Sequence, residues 1–286
     1  MGRIITRRPV TRVHRGSAPV RRADAIAVEE PLEIRIAGRP LTVTMRTPGH
    51  DVELTAGFLL SEGIVAARTD IVAARYCAGA TVTGPDGHAE NSYNVLDVTL
   101  AAGIPLRAPS RSFAISSACG VCGKTSIDQI QTQSSFDPAP DPATVSADVL
   151  LDLPDRLRTQ QSAFDKTGGM HAAALFDAHN GEALVVREDV GRHNAVDKVL
   201  GWALNADALP LRHTILQVSS RASFEVVQKA AMAGVPILSA VSAPSSLAVD
   251  LATARGITLA GFVRGDSLVL YSRPDRIVVP RAADTP

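Results

Sequence analysis

The fold class is decided by the segment that begins Thr214-Ile215-Leu216-Gln217-Val218 and ends at Val263. Its first apolar run predicts a buried strand, and two similar runs follow it. Each later run comes after a helical pattern that stops at a glycine, Gly234 or Gly256. Strands that alternate with helices predict βαβ crossovers and a parallel sheet covered on both faces. The predicted elements are strands 214–218, 235–238 and 257–263 and helices 223–233 and 244–255.

Ligands of such sheets bind at the carboxyl ends of the strands. The residues at these ends are Ser219-Ser220-Arg221, Ser242-Ala243-Pro244 and Arg264-Gly265-Asp266. Hydroxyl groups and arginines beside helix N-termini suit an anionic, phosphate-bearing ligand. Ordinary helix capping explains the first serine of the second group equally well, but it explains the two arginines less well. The chain has neither a Gly-x-Gly-x-x-Gly nor a Walker A sequence.

Composition limits the other possibilities. The 286 residues are 45% hydrophobic and 20% charged, as in an ordinary soluble globular protein. The formal net charge of zero gives no global attraction to nucleic acid or membrane, and no apolar run reaches transmembrane length. Three cysteines do not make a disulfide framework in a chain of this size, which indicates a reducing compartment.

Upstream of the predicted parallel sheet, alternating segments predict hairpins and one amphipathic helix from about residue 50 to residue 64. Residues 1–28 carry seven arginines against the single acid Asp24, which favours a solvated, poorly ordered arm. A proline-rich stretch, 136–144, indicates a linker. The predicted organisation is a basic arm over 1–28, an α+β region over 29–135 and an α/β cofactor-binding region over 136–286.

A Cys-x-x-Cys motif, Cys119-Gly120-Val121-Cys122, lies between small residues and a predicted helix start at Lys124. A helix N-terminus and an adjacent lysine both favour the thiolate form of a cysteine, which is its nucleophilic form. Three interpretations compete: a structural half zinc site, a thioredoxin-like redox pair, and a nucleophilic cysteine that carries a group covalently. The absence of a second Cys-x-x-Cys counts against zinc, and the mid-chain position counts against thioredoxin.

A zinc deaminase is a further alternative, because His88-Ala89-Glu90 precedes the cysteine motif. In that arrangement His88, Cys119 and Cys122 would bind zinc and Glu90 would transfer protons. Two features oppose it: Ala118 replaces the proline expected before the first cysteine, and His88 follows a turn sequence instead of starting a helix. We therefore predict no metal site.

Six segments together resemble the FdhD family of formate dehydrogenase accessory sulfurtransferases. A lone Cys-x-x-Cys would be weak evidence, but the ordered set is highly specific and extends from about residue 30 to the end of the chain. The segments are RTPGHDVEL (46–54) with GFL (57–59), CGVCG (119–123), TGGMH (167–171), EDVGRHNAVDK (188–198), SAPSSLA (242–248) and GFVR (261–264). Two departures are Ser220, where the family more usually has glycine, and Ala118.

The resemblance implies a cytoplasmic, homodimeric sulfurtransferase. Its core would be a cytidine deaminase-like three-layer α/β fold with a smaller N-terminal α+β subdomain. It would accept sulfur from a cysteine desulfurase as a cysteine persulfide and transfer it to the molybdenum cofactor, a bis(molybdopterin guanine dinucleotide). The cofactor would then enter formate dehydrogenase. A non-catalytic chaperone that only binds the cofactor is the alternative.

The resemblance also implies roles for individual residues. By position, Cys119 matches the persulfide cysteine and Cys122 the second cysteine, with a supporting or relay role. The segment 262–267 matches the cofactor-contacting stretch, and the phosphates of a guanine dinucleotide suit nearby arginines. His193 either donates to phosphate or caps its helix. The predicted cofactor-binding residues are Phe262, Val263, Arg264, Gly265, Asp266, Ser267, Arg192, His193 and Arg221.

Overall fold

The computed structural model describes residues 4–77, 81–83, 89–91, 93–104, 113–114 and 134–279. The N-terminal elements are β1 (Ile5–Arg12), β2 (Val20–Ala27), β3 (Glu30–Ile36), β4 (Arg39–Arg46), α1 (Asp51–Ser61), β5 (Ile71–Tyr76), β6 (Thr81–Thr83), β7 (Ala89–Asn91), β8 (Val95–Leu100) and β9 (Phe113–Ala114). The C-terminal elements are β10 (Val145–Ser146), α2 (Ala147–Arg158), α3 (Ser162–Thr167), β11 (His171–Asp177), β12 (Ala183–Asp189), α4 (Arg192–Asn205), β13 (Thr214–Val218), α5 (Phe224–Met232), β14 (Ile237–Ala240), α6 (Ser246–Ala254), β15 (Thr258–Arg264), β16 (Ser267–Ser272) and β17 (Ile277–Val278). None of the helices in these ranges is long and apolar enough to cross a membrane.

A six-stranded sheet organises the C-terminal part of the chain. Its strand order is β12-β11-β13-β14-β15-β16. The three central strands, β13, β14 and β15, are parallel, as the sequence predicts, and α5 and α6 form the crossovers between them. The antiparallel strands β11, β12 and β16 extend the sheet on both sides. The α/β fold class is therefore confirmed.

Helices cover both faces of this sheet, which gives three layers. Side chains of a strand point alternately to opposite faces, and β13 shows the consequence. Leu216 and Val218 lie in a core cluster with residues of α1, α4, α5 and α6, whereas Ile215 lies in a second cluster with Leu150 and Leu153 of α2. Runs that are apolar at every position are typical of strands buried on both faces.

A five-stranded sheet, of order β5-β8-β3-β4-β9, forms the N-terminal part. It contains the predicted β3–β4 hairpin and the predicted pairing of the strand near residue 71 with the strand near residue 95. Leu32 and Ile34 of β3 point into the same core cluster as Leu216 of the larger sheet. The regions 29–135 and 136–286 thus share one core, and the boundary between them stays a prediction.

Helices α1 and α4 cross at two glycines. A Cβ atom on Gly57 would lie 1.9 Å from the carbonyl oxygen of Asp197, and one on Gly201 would lie 1.8 Å from the carbonyl oxygen of Glu53. These distances leave no room for a methyl group against backbone atoms. The close approach of the two helices therefore requires glycine at both positions.

A buried polar cluster joins the β4–α1 loop to the end of β12. Lys198 Nζ lies 2.7 Å from Asp189 Oδ2, and both side chains are at most 1% exposed. The lysine also donates to the carbonyl oxygen of Thr47 at 2.9 Å, and the aspartate accepts from the Thr47 amide at 3.1 Å. Asn194 donates to the same aspartate and to the Met45 carbonyl. These contacts bring together two of the sequence segments that carry the family resemblance.

The structure differs from the poorly ordered arm predicted for residues 1–28. Strands β1 and β2 pair antiparallel from Ile5–Ala27 to Arg12–Val20. Valine, threonine and isoleucine favour extended backbone, and Gly16 supplies the positive φ of 76° that the connecting turn uses. Composition predicts disorder because the count of seven arginines takes no account of the preference of the valines, threonines and isoleucines for extended backbone.

We expect Gly57→Ala to lower the free energy of unfolding by roughly 3 kcal/mol, because the new methyl group overlaps backbone of α4. In an uncrowded helix the same change stabilises by about 0.5–1 kcal/mol. Gly169→Ala is the matched control, since its Cβ would make only ordinary contacts at 3.9 Å. Chemical denaturation of both variants measures the difference. A Gly57→Ala variant as stable as the wild type would contradict the packing described here.

Candidate functional site

The candidate site lies where the strands of the six-stranded sheet end. The parallel strands β13, β14 and β15 end there, followed by residues 219–221, 241–244 and 265–266. Because β12 runs antiparallel to β11 and β11 runs antiparallel to β13, β12 ends at the same edge. Asp189 ends β12, Gly191 is the N-cap of α4, and Arg192 and His193 open that helix. The predicted residues Arg192, His193, Arg221 and 262–267 therefore share one edge of the sheet.

His171 and Ser219 lie together at this edge. The Ser219 hydroxyl accepts from the Ala172 amide at 2.9 Å and lies 3.5 Å from His171 Nδ1. Burial lowers the pKa of His171, and the positive charge of Arg192 lowers it further against the opposing effect of Asp189. The imidazole is therefore biased toward its neutral form.

His193 is the most strongly perturbed histidine of the site. Its Nε2 lies 3.4 Å from the Ser223 hydroxyl and 3.9 Å from a carboxylate oxygen of Glu225. Burial, followed by the charges of Lys229 and Arg192, lowers the pKa of His193 to about 4, although Glu225 opposes the shift. The ring is neutral at physiological pH. One of its nitrogens then donates a hydrogen bond and the other accepts one, and the tautomer decides which does which.

Glu225 stays ionised beside this histidine. Burial acts to raise its pKa, but hydrogen bonds from its own amide and from Ser223, together with the positive charge of Arg192, lower it overall. A carboxylate in the first turn of α5 also interacts favourably with the positive end of that helix. The site therefore combines cationic, neutral and anionic side chains at the starts of two helices.

Phe262 has a backbone conformation that aromatic residues rarely adopt. Its φ is 52°, the left-handed region, and its ring is 36% exposed. The Phe262 amide donates to the Ser242 carbonyl at 3.3 Å, and the β15–β16 register shifts between Gly261 and Arg264. The Arg264 guanidinium carbon lies 5.8 Å from the ring centroid. Strain of this kind clusters at functional sites, so the exposed ring points to a role in binding.

The structure places the remaining predicted residues in two ways. Val263 is fully buried in the core cluster beside α2, so its side chain cannot reach a ligand and only its backbone could. Arg264, Gly265, Asp266 and Ser267 are exposed at the β15–β16 turn, and Arg221 is exposed after β13. An isolated bridge between Ala222 and Pro244 holds the loops after β13 and β14 together.

Sequence reasoning missed three members of the site, His171, Ser223 and Glu225, and it named Ser219 without its contact to His171. His171 and Ser219 belong to segments already singled out, but their contact depends on β11 pairing antiparallel with β13. No local pattern predicts that pairing. Glu225 could have been found, because an acidic residue in the first turn of a helix that follows a parallel strand faces this edge.

Cys119 and Cys122 lie outside the described residues, as does His88, and only the backbone of Glu90 is described, in β7. Within the parts of the chain that the structure describes, no three His, Cys, Asp or Glu side chains are grouped to hold a metal ion. Cys77 is free and half-buried, and its amide donates to the Val95 carbonyl at 2.9 Å.

Comparisons with known proteins agree on one family. The sequence model of the FdhD/NarQ family matches residues 27–278. A protein of Mycolicibacterium paratuberculosis named sulfur carrier protein FdhD is 58% identical over 276 residues, which is 96% of this chain and 99% of that protein. A protein of Streptomyces coelicolor with the same name is 53% identical over 287 residues, 99% of each chain.

A solved structure shares the fold. The crystal structure of a Desulfotalea psychrophila protein, provisionally described as a formate dehydrogenase accessory protein, superposes with a TM-score of 0.72. The comparison covers 96% of this chain and 100% of that one, at 24% identity. The family match extends over both sheets and over every residue of the sheet-edge site, and the chain belongs to the FdhD/NarQ family.

Proposed function

We propose that this protein is a sulfur carrier that serves formate dehydrogenase. It accepts sulfur from a cysteine desulfurase as a persulfide on Cys119. It then transfers the sulfur to a molybdenum cofactor of the bis(molybdopterin guanine dinucleotide) type before that cofactor enters formate dehydrogenase. Two findings support the proposal: the relatives named sulfur carrier protein FdhD that match nearly the whole chain, and the chemistry of the sheet-edge site.

The observation that carries the cofactor assignment is the convergence of cationic groups and helix N-termini at one edge. Arg192 opens α4 and Ser223 directly precedes α5, so both positive helix ends lie at the site. Arginine also forms bidentate hydrogen bonds with phosphate oxygens. The strained, exposed ring of Phe262 offers a flat surface for a nucleobase or pterin. These groups suit a dinucleotide substrate that carries both phosphates and aromatic rings.

The chemistry of sulfur transfer assigns different roles to the two cysteines. The Cys119 thiolate attacks the outer sulfur of the desulfurase persulfide, a new S–S bond forms, and the desulfurase cysteine leaves as thiolate. For release as sulfide, the Cys122 thiolate attacks the Cys119 sulfur. The persulfide bond breaks, sulfide leaves, and a Cys119–Cys122 disulfide forms. A thiol reductant must then restore the pair before the next cycle.

A non-catalytic chaperone is the second candidate. It is favoured by one feature, namely that the described part of the site is rich in binding groups: three arginines, two histidines, hydroxyls and an aromatic ring. A chaperone would bind the cofactor without needing either thiol. The two functions therefore differ in what happens when Cys119 is replaced.

Incubation with cysteine desulfurase and cysteine should add one sulfur to the wild-type protein, seen as a mass gain of about 32 Da that reductant removes. Cys119→Ala should abolish the gain and formate dehydrogenase maturation, because no thiolate is left to accept sulfur. Cys77→Ala is the matched control and should retain the mass gain and the maturation. Intact-mass spectrometry measures the added sulfur, and complementation measures formate dehydrogenase maturation. Full maturation with Cys119→Ala would establish the chaperone instead.

Arg264→Ala should weaken GDP binding about tenfold, because it removes one charge-assisted contact to phosphate. Arg212→Ala is the control, since Arg212 is also exposed but precedes β13, at the opposite edge of the sheet. Isothermal titration calorimetry compares the two variants with wild type. An unchanged GDP affinity in Arg264→Ala would show that this arginine is structural.

The low pKa of His193 predicts a pH dependence of stability. The unfolded chain protonates this histidine near pH 6.5, whereas the folded protein does so only near pH 4. The free energy of unfolding should therefore fall as pH decreases from about 6.5 to 4, by roughly 2–3 kcal/mol from this group. His193→Asn should flatten that part of the curve, and His179→Asn, an exposed control, should not. Chemical denaturation at several pH values measures the free energy of unfolding of each variant. If this free energy depends on pH identically in both variants, the low pKa of His193 is contradicted.

A further inference from the structure

The N-terminal hairpin of β1 and β2 is an exposed cationic ribbon. Residues 5–27 contain six arginines and one aspartate, a formal charge of +5, and because the whole chain is neutral the remainder carries −5. An isolated two-stranded hairpin is at best marginally stable in water. Among the described residues, the base of the hairpin packs against α3 and the loops around Gly49 and Gly169. Residues 11–23 are all exposed.

The two faces of the ribbon differ. Residues directly opposite in an antiparallel pair share a face, and successive residues alternate. The face that packs at the base contains Ala27, which lies 3.9 Å from the Cβ position of Gly169. The opposite face, here called the Arg8 face, contains Thr6, Arg8, Val10, Arg12, Val20, Arg22, Asp24 and Ile26.

The Arg8 face combines positive charge with exposed apolar surface. Val20 is 58% exposed and Ile26 is 41% exposed, unusually high values for large apolar side chains. Asp24 is hydrogen-bonded to Arg22 at 2.8 Å. Among the described residues, Arg8 and Arg12 form no ion pair. On this face Arg8 lies opposite Asp24 and Arg12 lies opposite Val20, with Val10 between the two arginines and Ile26 at the base of the hairpin.

We propose that the Arg8 face binds an acidic segment of a partner protein, whose carboxylates pair with Arg8 and Arg12 and whose apolar side chains cover Val20 and Ile26. The composition of the face favours a protein over a nucleic acid. Protein interfaces are enriched in arginine, and a protein segment can supply apolar side chains to cover Val20 and Ile26, whereas a phosphate backbone cannot.

The position of the hairpin connects this surface with the sheet-edge site. Its base contacts the loops around Gly49 and Gly169, which lie beside Thr47 and Met170. His171, a member of the site, follows directly in β11. A protein held by the Arg8 face is therefore held beside the end of the molecule where the site opens. The choice of partners rests on the proposed function: we test the sulfur donor, a cysteine desulfurase, and the recipient, formate dehydrogenase.

The experiment measures binding of the full-length protein to purified cysteine desulfurase and, separately, to purified formate dehydrogenase by biolayer interferometry. We expect one of them to bind, and Arg8→Glu/Arg12→Glu to weaken that binding at least tenfold at about 50 mM salt and less at about 500 mM. Arg7→Glu/Arg21→Glu is the matched control: it makes the same charge change on the opposite face of the same hairpin and should weaken binding less than threefold. A 20-base-pair DNA duplex is the third probe and should not discriminate between the variants.

Three results would overturn the proposal: no binding of either protein, equal losses in the two charge-reversed variants, or tighter binding of the duplex than of either protein. Persulfide loading from a small-molecule polysulfide separates this test from that of the proposed function. A wild type that binds its partner in the face-dependent way but never gains sulfur would refute the sulfur carrier and leave the docking surface established. A charge-reversed variant that gains sulfur normally but does not bind supports both.

Discussion

The structure depends on the buried ion pair between Lys198 and Asp189. Removing two charges from water costs several kcal/mol per ion, and the pair forms only because further hydrogen bonds satisfy both groups. The lysine also donates to the Thr47 carbonyl, and the aspartate accepts from the amides of Thr47 and Gly191 and from Asn194. Loss of either partner would leave a buried charge uncompensated, a cost of about 3–5 kcal/mol. The pair therefore fixes the β4–α1 loop against the junction of β12 and α4.

The site inherits its geometry from that junction. Asp189 accepts from the amide of Gly191, the N-cap of α4, so the start of the helix is held by the same carboxylate that pairs with Lys198. Further along α4, Gly201 and the facing Gly57 let α1 lie directly against α4. His193 is consequently presented at the sheet edge by backbone that cannot shift without disturbing the core. Binding groups placed on such rigid elements are held precisely enough to recognise one ligand geometry.

The parts that were predictable from sequence are those specified locally. Apolar runs and terminating glycines locate β13, α5, β14, α6 and β15, and the parallel arrangement follows from their alternation. The contact of His171 with Ser219 was not predictable, because it depends on pairing between strands separated by the whole of α4. The burial of Val263 follows from the register of β15, because the register decides which side chains of the strand point into the core. The family motif names Val263 but does not show which way its side chain points. The hairpin over residues 5–27 was missed because charge counts outweighed the β-branched residues of its two strands.

Under the proposed function, the electrostatics of the site suit a carrier that must give up its cargo. A protonated His193 would add a full positive charge beside the phosphates, but burial and the neighbouring cations Lys229 and Arg192 keep the ring neutral. Glu225 remains ionised in the same cluster and offsets part of the arginine charge. The attraction for an anionic dinucleotide is then divided among helix ends, hydroxyls and a few guanidinium groups, each contributing modestly. Such a site binds the cargo specifically without holding it so tightly that delivery is prevented.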